Sequence, residues 1–239
     1  MPIRINLISS PRNISTALMY SFANRADTQV VDEPLYAYYL QKTGKQHPGR
    51  DEIIQSMSTN GQQVWEGLTQ DKLVANHSVL FIKNMAHHIL DGDEAYNLAF
   101  KNVLLIRNPK QLIASFAQVI PNPTMFDIGV EKQFQLLQYL ETKGQKVFVM
   151  DSNEVLKNPE KVLMRLCEKL SIPFDQNMLS WQAGAIPEDG VWAKHWYTNV
   201  HRSTGFAKQK TSSRILPDDL VPLYKQAQPF YEAMYEKVI

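Results

Sequence analysis

Ile3-Arg4-Ile5-Asn6-Leu7-Ile8-Ser9-Ser10-Pro11-Arg12-Asn13-Ile14-Ser15-Thr16-Ala17-Leu18-Met19-Tyr20-Ser21-Phe22 is the stretch that decides the fold. An apolar run of strand character, Ile3–Ile8, passes straight into a polar loop, and an apolar helical stretch follows without a break. Strand, tight loop and helix in that order is how α/β proteins hold a phosphate, because loop N–H groups and the helix N-terminus together present partial positive charge. Arg12 adds a full charge, and Ser15 and Thr16 are placed both to cap the helix and to bond an anion. The nucleotide loop G-x-x-x-x-G-K-[ST] is absent, since this loop has neither Gly nor Lys. A phosphate site distinct from an ordinary ATPase site is the expectation.

Outward from that stretch, short apolar runs alternate with longer helical patterns. Strands are expected at Ile3–Ile8, Thr28–Val31, Val79–Lys83, Asn102–Ile106 and Lys146–Val149, with helices at Thr16–Asn24, Asp51–Ser58, Gln62–Gln70, Pro109–Val119 and Gly129–Lys143. Such alternation argues for an α/β fold with a parallel sheet covered on both faces. Beyond Met150 the strand patterns stop. Asn158-Pro159 pairs a capping residue with a first-turn proline and opens a helix through Leu170, and Pro217-Asp218-Asp219 is read the same way for a last helix ending near Val238. Residues 176–213, rich in Trp, Gly, His and Ser, read as an ordered loop region or lid. One domain over 1–239, with a core at 1–170, is the default at this length.

Composition narrows the function. A net charge of +1 supplies no global field for nucleic acid or membrane, so any basic site is local. The lone cysteine, Cys167, sits in an apolar helical pattern and reads as a small buried hydrophobe. No apolar run reaches transmembrane length and Met1-Pro2-Ile3-Arg4 does not read as a signal peptide, so a cytoplasmic protein is expected. Neither Asp-rich loops nor His pairs at i, i+4 are present, and no metal site is expected.

In open α/β sheets ligands bind beyond the carboxyl ends of the strands. Those ends carry Ser9-Ser10-Pro11-Arg12-Asn13-Ile14-Ser15-Thr16, Asp32-Glu33-Pro34, Lys83-Asn84 with His87-His88, Arg107-Asn108-Pro109 with Ser115, and Asp151-Ser152. Charged groups suited to anion binding or proton transfer thus converge on one edge.

Two of these segments together resemble the sulfotransferase family, its sulfotransferase-like branch included. The family's first motif is a strand, a loop of the form Pro-Lys/Arg-Ser-Gly-Thr-Thr, and a helix; Pro11-Arg12-Asn13-Ile14-Ser15-Thr16 aligns with it without gaps, Asn13-Ile14 standing for Ser-Gly. The second is a strand, Arg-Asn-Pro, and a Ser eight residues after the Arg, matched by Arg107-Asn108-Pro109 and Ser115. The resemblance implies a three-layer, P-loop nucleoside triphosphate hydrolase-like sandwich around a mainly five-stranded parallel sheet, with a helical C-terminal part. It also implies 3′-phosphoadenosine 5′-phosphosulfate as co-substrate, no metal, and a small-molecule acceptor bearing a hydroxyl or amine. Arg12 through Thr16 would grip the 5′-phosphosulfate, and Arg107 with Ser115 the 3′-phosphate.

Sulfuryl transfer needs cations near the bridging and leaving oxygens and a base near the acceptor. Related carbohydrate and tyrosyl-protein sulfotransferases carry a catalytic Glu soon after the second strand, where Glu33 falls; Pro34 should restrict Glu33 to extended backbone. Cytosolic members use a His in Lys-x-His-Leu-Pro after the third strand, and Lys83-Asn84-Met85-Ala86-His87-His88 loosely resembles this. Glu33 and His87 or His88 therefore both stand as the base; the two histidines, adjacent, would point apart on a helix. Lys83 could stabilise the leaving phosphate, or lie as a strand-end lysine in solvent. Arg202-Ser203-Thr204-Gly205, with Lys208 and Lys210, could close over the 3′-phosphate. Trp192, Trp196, Tyr197 and Tyr36-Ala37-Tyr38-Tyr39 would line a pocket, although core packing accounts for aromatics equally well.

Two other classes share the opening motif. A P-loop kinase or hydrolase would need a loop Lys, which is missing, and a metal-holding Asp, a role Asp151 only partly fills. A non-catalytic nucleotide-binding protein is the reading that Asn13-Ile14 in the loop would favour.

Overall fold

The computed structural model describes residues 2–71, 74, 77–206 and 214–239. Its strands are β1 (Ile3–Ser9), β2 (Thr28–Asp32), β3 (Val79–Met85), β4 (Lys101–Ile106) and β5 (Val147–Asp151). They form one parallel sheet in the order β2-β3-β1-β4-β5. The helices are α1 (Ser15–Ala23), α2 (Tyr36–Thr43), α3 (Arg50–Ser56), α4 (Gly61–Leu68), α5 (Pro109–Phe116), α6 (Met125–Ile128), α7 (Val130–Thr142), α8 (Ser152–Lys157), α9 (Pro159–Leu170), α10 (Ala193–Trp196), α11 (Thr198–His201) and α12 (Val221–Tyr235).

Alternation along the strands sorts the core into two layers. Ile5 and Leu7 of β1, Phe81 of β3 and Val103 and Leu105 of β4 pack on the face covered by α1, α2 and α9. Ile8, Leu80, Ile82, Leu104 and Ile106 pack on the other face, under α4, α5, α7 and α12. Helices on both faces of a parallel sheet are the three-layer sandwich the sequence implies. Because β1 has β3 on one side and β4 on the other, the chain leaves its tip at the place where the strand order reverses. A crevice opens there.

Asn6, Asn84, Asn97 and Asn102 form a buried amide chain across the three central strands. Asn84 donates to Asn6 Oδ1 at 2.8 Å, and Asn6 donates to Asn97 Oδ1 at 2.9 Å and Asn102 Oδ1 at 3.2 Å. Asn102 returns its own N–H groups to the carbonyls of Asn97 and Phe100 at 2.8 and 3.1 Å. Linked this way, with only Asn84 Oδ1 of the four side chains lacking a partner, the amides sit in the core and pin the register of β3, β1 and β4. At the strand tips Gln133 of α7 donates to the carbonyls of Ile8 and Leu105, both at 3.0 Å, closing groups that the sheet leaves open.

One local expectation is corrected, and two helices are added to those expected. Pro217 does not cap the last helix directly: a 3-10 turn, Asp218–Leu220, intervenes without a side-chain cap, and the α-helix begins at Val221. α2 was not anticipated, because its Tyr-rich sequence has a weak helical pattern; Gly44 in the left-handed region ends it. α8 follows β5 without a loop, started by Asp151, whose carboxylate accepts from the backbone of Asn153 and Glu154 at 2.8 and 3.3 Å. Asn158 caps α9 by accepting from Lys161 N at 3.1 Å, in line with expectation. Asn6→Ala is expected to lower the unfolding free energy by at least about 2 kcal/mol, since three amide partners lose their bonds. Urea denaturation checks this, and a loss below about 0.5 kcal/mol would show that the amide chain does not stabilise the core.

Candidate active site

The loop after β1 turns at Arg12, whose φ is 55°. Ile14, by contrast, has φ −89° and ψ 21°, in the bridge region, where φ is negative and no Gly is required. The left-handed turn therefore sits two residues before the place where the family motif has Gly, and the loop has no need of one at Ile14. Asn13 holds the loop down: its Nδ2 donates to Leu105 O at 3.0 Å and its Oδ1 accepts from Ile14 N at 2.9 Å. α1 begins at Ser15 with Ile14 at the N-cap and no side-chain capping bond. The expected Ser-Thr cap is thus corrected. Ser15 and Thr16 are first-turn residues, and both line the cleft.

Arg107, at the tip of β4, donates to the carbonyl of Arg12 and so ties the two strand ends together. Ser115, two turns into α5, accepts from Arg12 Nε at 3.3 Å and from Arg214 Nη1 at 2.8 Å. Two guanidinium groups thus share one buried hydroxyl, and Arg107, tied to the carbonyl of Arg12, is the third member of the cluster. Burial pushes Arg107 down to about 10, with Arg12 and Arg214 pushing the same way and Asp151 opposing. Arg12 is lowered too, by burial and then by Arg214. Arg12 and Arg107 lie on the same side of the sheet, on one cluster rather than on separate surfaces.

At the other strand tips the parallel register sets Asp32 beside Lys83. Lys83, 1% exposed, is not a lysine in solvent. Its Nζ donates to Asp32 Oδ1 at 2.9 Å, to Glu33 Oε1 at 2.6 Å and to the Tyr197 hydroxyl at 2.5 Å. An ammonium has three hydrogens, and all are used. Burial pulls Lys83 down, but Asp32 and Glu33 outweigh it and its net shift is upward, so it stays charged. Glu33 moves upward, driven by burial against the pull of Lys83. The expected extended backbone at Glu33 is corrected: φ is 39°. Its N–H donates to Lys83 O at 2.8 Å and its carbonyl accepts from Tyr36 N at 3.0 Å. These bonds hold a conformation that costs roughly 1–3 kcal/mol and that Pro34 alone would disfavour.

His87 and His88 also depart from expectation. They lie on a 3-10 turn, Ala86–His88, with ring centroids 4.5 Å apart, rather than diverging on a helix. Both are buried, and His88 stacks between Tyr36 and Tyr39 at 4.5 and 4.6 Å. Burial, then His47, pushes His87 down to about 3; burial, then His87, takes His88 well below the usual range. His47, bonded to the Tyr36 hydroxyl at 2.8 Å, is pushed down to about 4.

Arg12, Thr16, Lys83, Glu33, His87 and Trp196 line one cleft, and Arg107, Ser115 and Arg214 adjoin it through Arg12. Tyr36 and Tyr197 line it, whereas Trp192 lies behind Tyr197, to whose hydroxyl its Nε1 donates at 3.0 Å. Arg202, Ser203, Thr204 and Gly205 are not brought to the cleft. Arg202 is exposed, Ser203 accepts from Trp181 Nε1 at 3.2 Å, Thr204 O accepts from Trp181 N, and Gly205 bridges to Ser180. Lys208 and Lys210 lie outside the described residues. The late arginine that does reach Ser115 is Arg214, and no sequence spacing singled it out. Asp32 was legible only as Glu33's neighbour; the β2–β3 register is the signal that identifies it. Asp151, the partial substitute for a metal-holding Asp, is occupied in capping α8 and in accepting from Tyr231 at 3.0 Å.

A cluster of arginines adjoining a cleft lined by a buried carboxylate, on a P-loop-like sheet, is the arrangement of a group-transfer enzyme. The chain belongs to the sulfotransferase family: a family profile described as "Sulfotransferase domain" matches residues 3–238. It is 17% identical to the sulfotransferase domain from the curacin biosynthetic pathway (TM-score 0.58, covering 100% of this chain and 99% of that one). It is 10% identical to a sulfotransferase from Alicyclobacillus acidocaldarius (TM-score 0.60, covering 100% and 98%). These likenesses are of fold. Two Arabidopsis thaliana proteins, branched-chain-amino-acid aminotransferase-like proteins 1 and 2, are 39% and 35% identical, covering 99% and 96% of this chain. The chain spans only 42% and 41% of their length. Among the described residues no cluster suited to a metal and no helix long and apolar enough to cross a membrane is found.

The buried histidines set a pH dependence. Unfolded, each binds a proton as pH falls through about 6.5, while folded His47, His87 and His88 stay neutral well below that. Their stabilisation is full above that pH and is lost as pH falls; Glu33, raised, works the other way with one proton. Urea unfolding at pH 7 and pH 5 is expected to show lower stability at pH 5. His87→Gln should flatten the slope by about 1.4 kcal/mol per pH unit. An unchanged slope would show that His87 is protonated in the folded protein.

Proposed function

We propose that this chain transfers a sulfuryl group from 3′-phosphoadenosine 5′-phosphosulfate to the hydroxyl of a small-molecule acceptor, in the cytoplasm, with Glu33 as the general base. The observation that carries this reading is the cluster of Arg12, Arg107 and Arg214 at Ser115, which meets through Arg12 a cleft also lined by the buried carboxylate of Glu33. Three desolvated like charges with one opposing acid, Asp151, ask for a multiply charged anion. In this reading Arg107, Ser115 and Arg214 hold the 3′-phosphate. Ser15, Thr16 and the open N-terminus of α1 take the 5′-phosphosulfate, and Arg12 lies between the two.

Glu33 is preferred over the histidines on geometry and basicity. Its Oε1 is engaged by Lys83, whereas the nearest imidazole nitrogen to Oε2, His88 Nδ1, is 3.9 Å away. Oε2 is free to accept an acceptor proton. An imidazole held near pKa 3, as His87 is, makes a weak base at neutral pH, while a carboxylate pushed upward moves toward it. The acceptor oxygen forms a bond to sulfur as the bond from sulfur to the bridging phosphate oxygen breaks. The acceptor proton passes to Glu33, and adenosine 3′,5′-bisphosphate leaves with the bridging electron pair. The negative φ at Ile14 counts against a non-catalytic reading based on the missing Gly, and the occupied Asp151 weakens the kinase one.

Adenosine 3′,5′-bisphosphate is expected to stabilise the protein by about 2.7 kcal/mol at a hundred times its dissociation constant. Arg107→Ala should weaken it at least tenfold, and ATP with magnesium should have little effect. Thermal shift and titration calorimetry decide the matter: no binding of the bisphosphate would overturn the proposal.

A further inference from the structure

We propose, building on the assignment of Glu33 as the base, that Tyr197 and Asp32 are positioning residues: together they anchor Lys83 so that its remaining hydrogen orients Glu33 and leaves Oε2 toward the acceptor. The hydrogen-bond directions follow from valence. Lys83 Nζ and Trp192 Nε1 can only donate, so the Tyr197 oxygen accepts from both, at 2.5 and 3.0 Å. Its one hydrogen must then go to a carboxylate. Asp32 lies at 2.9 and 2.8 Å through its two oxygens, and Glu33 Oε1 at 3.3 Å. Asp32 is the nearer and takes it. Asp32 Oδ2 also accepts from the backbone of Gly190 at 3.3 Å. Every atom of the anchor is thereby committed, and Glu33, which lines the cleft, keeps Oε2 outside these bonds, 3.9 Å from His88 Nδ1.

The geometry gives Asp32 and Glu33 unequal roles although both bond the same ammonium. Asp32, 1% exposed in its side chain, is closed in by Tyr197, Gly190 and Lys83; Glu33 side-chain exposure is 10%. One carboxylate is structural and the other reaches the ligand. Tyr197 arrives from the junction of α10 and α11, far along the chain from β2 and β3, so the C-terminal segment completes the site and does more than cover it. The ionisable groups that act on Glu33 are Lys83 and Asp32 on the adjoining strands, Tyr197, His88 of the 3-10 turn, and Tyr36 of α2.

Two substitutions move Glu33 in opposite directions if the anchor works as described. Tyr197→Phe removes the hydrogen that screens Asp32, so Lys83 shifts its allegiance toward Asp32 and Glu33 becomes harder to ionise. Asp32→Asn removes the neighbouring negative charge, and Glu33 becomes easier to ionise. The test is a carboxyl titration by carbon-13 NMR of protein labelled at glutamate Cδ, with Glu33→Gln assigning the resonance. The expected result is a rise of about one pH unit in Tyr197→Phe and a fall of about one in Asp32→Asn. General loosening of the fold would move both variants the same way, and that outcome, or no movement in either, overturns the inference. If Tyr197→Phe does not fold, a fall in Asp32→Asn supports the anchor and its absence refutes it. Binding of adenosine 3′,5′-bisphosphate to the unsubstituted protein is measured in parallel. Its loss would defeat the sulfuryl-transfer reading while leaving the titration result to stand or fall alone.

Discussion

Parallel pairing in one register is the constraint on which the site depends. Strands that run the same way end at the same edge, and β1, flanked by β3 and β4, delivers its phosphate-type loop where the connections part. The amide chain through Asn6, Asn84 and Asn102 keeps that register from slipping, because a shift of one residue would turn buried amides to the opposite face. The same register that aligns Ser9 with Leu105 aligns Asp32 with Lys83. The cation cluster and the carboxylate network are thus two consequences of a single alignment.

Much of this was legible in the sequence for a simple reason: buried parallel strands are continuous apolar runs, and their ends are where polarity resumes. The five expected strands match the observed ones to within two residues, and Arg12, Glu33, Lys83, Arg107 and Ser115 all fall on one cleft or on the cation cluster at its edge. What escaped reading depends on contacts between distant parts of the chain. Tyr197 meets Asp32 across 165 positions and Arg214 meets Ser115 across 99, and no local period encodes either. Residues 202–205 carry a basic residue in a polar turn, as an anion loop would, yet Trp181 claims their backbone and hydroxyl. The left-handed backbone at Arg12 and Glu33 was hidden as well, since neither residue type favours it.

Burial explains why the histidines and the carboxylate part company. All three share an aromatic wall, where the dry surroundings disfavour charge of either sign. For an imidazole that means remaining neutral: Asp127 only partly opposes this at His87, and Glu33 Oε2, 3.9 Å from His88 Nδ1, does not overturn it at His88. Glu33 has Lys83 at 2.6 Å, which limits the same penalty. One lysine therefore separates a group able to carry charge at the cleft from two that serve as polar, uncharged walls.

The cost of burying Lys83 clarifies its part. Removing an ammonium from water costs several kcal/mol and is offset only with near-complete hydrogen bonding. Here that bonding uses all three hydrogens on Asp32, Glu33 and Tyr197 and leaves none for a sulfuryl oxygen. Under the proposed chemistry, charge at the donor would come from the arginines and the α1 N-terminus, and Lys83 would act through Glu33. As a result the cleft carries opposite charge at its two ends. The arginine end is positive, and the Asp32, Glu33 and Lys83 end has a formal net charge of −1 when both carboxylates are ionised. Such a gradient orients a molecule with anionic groups at one end before any chemistry begins, and it places the proposed base, Glu33, where a second anion would be repelled.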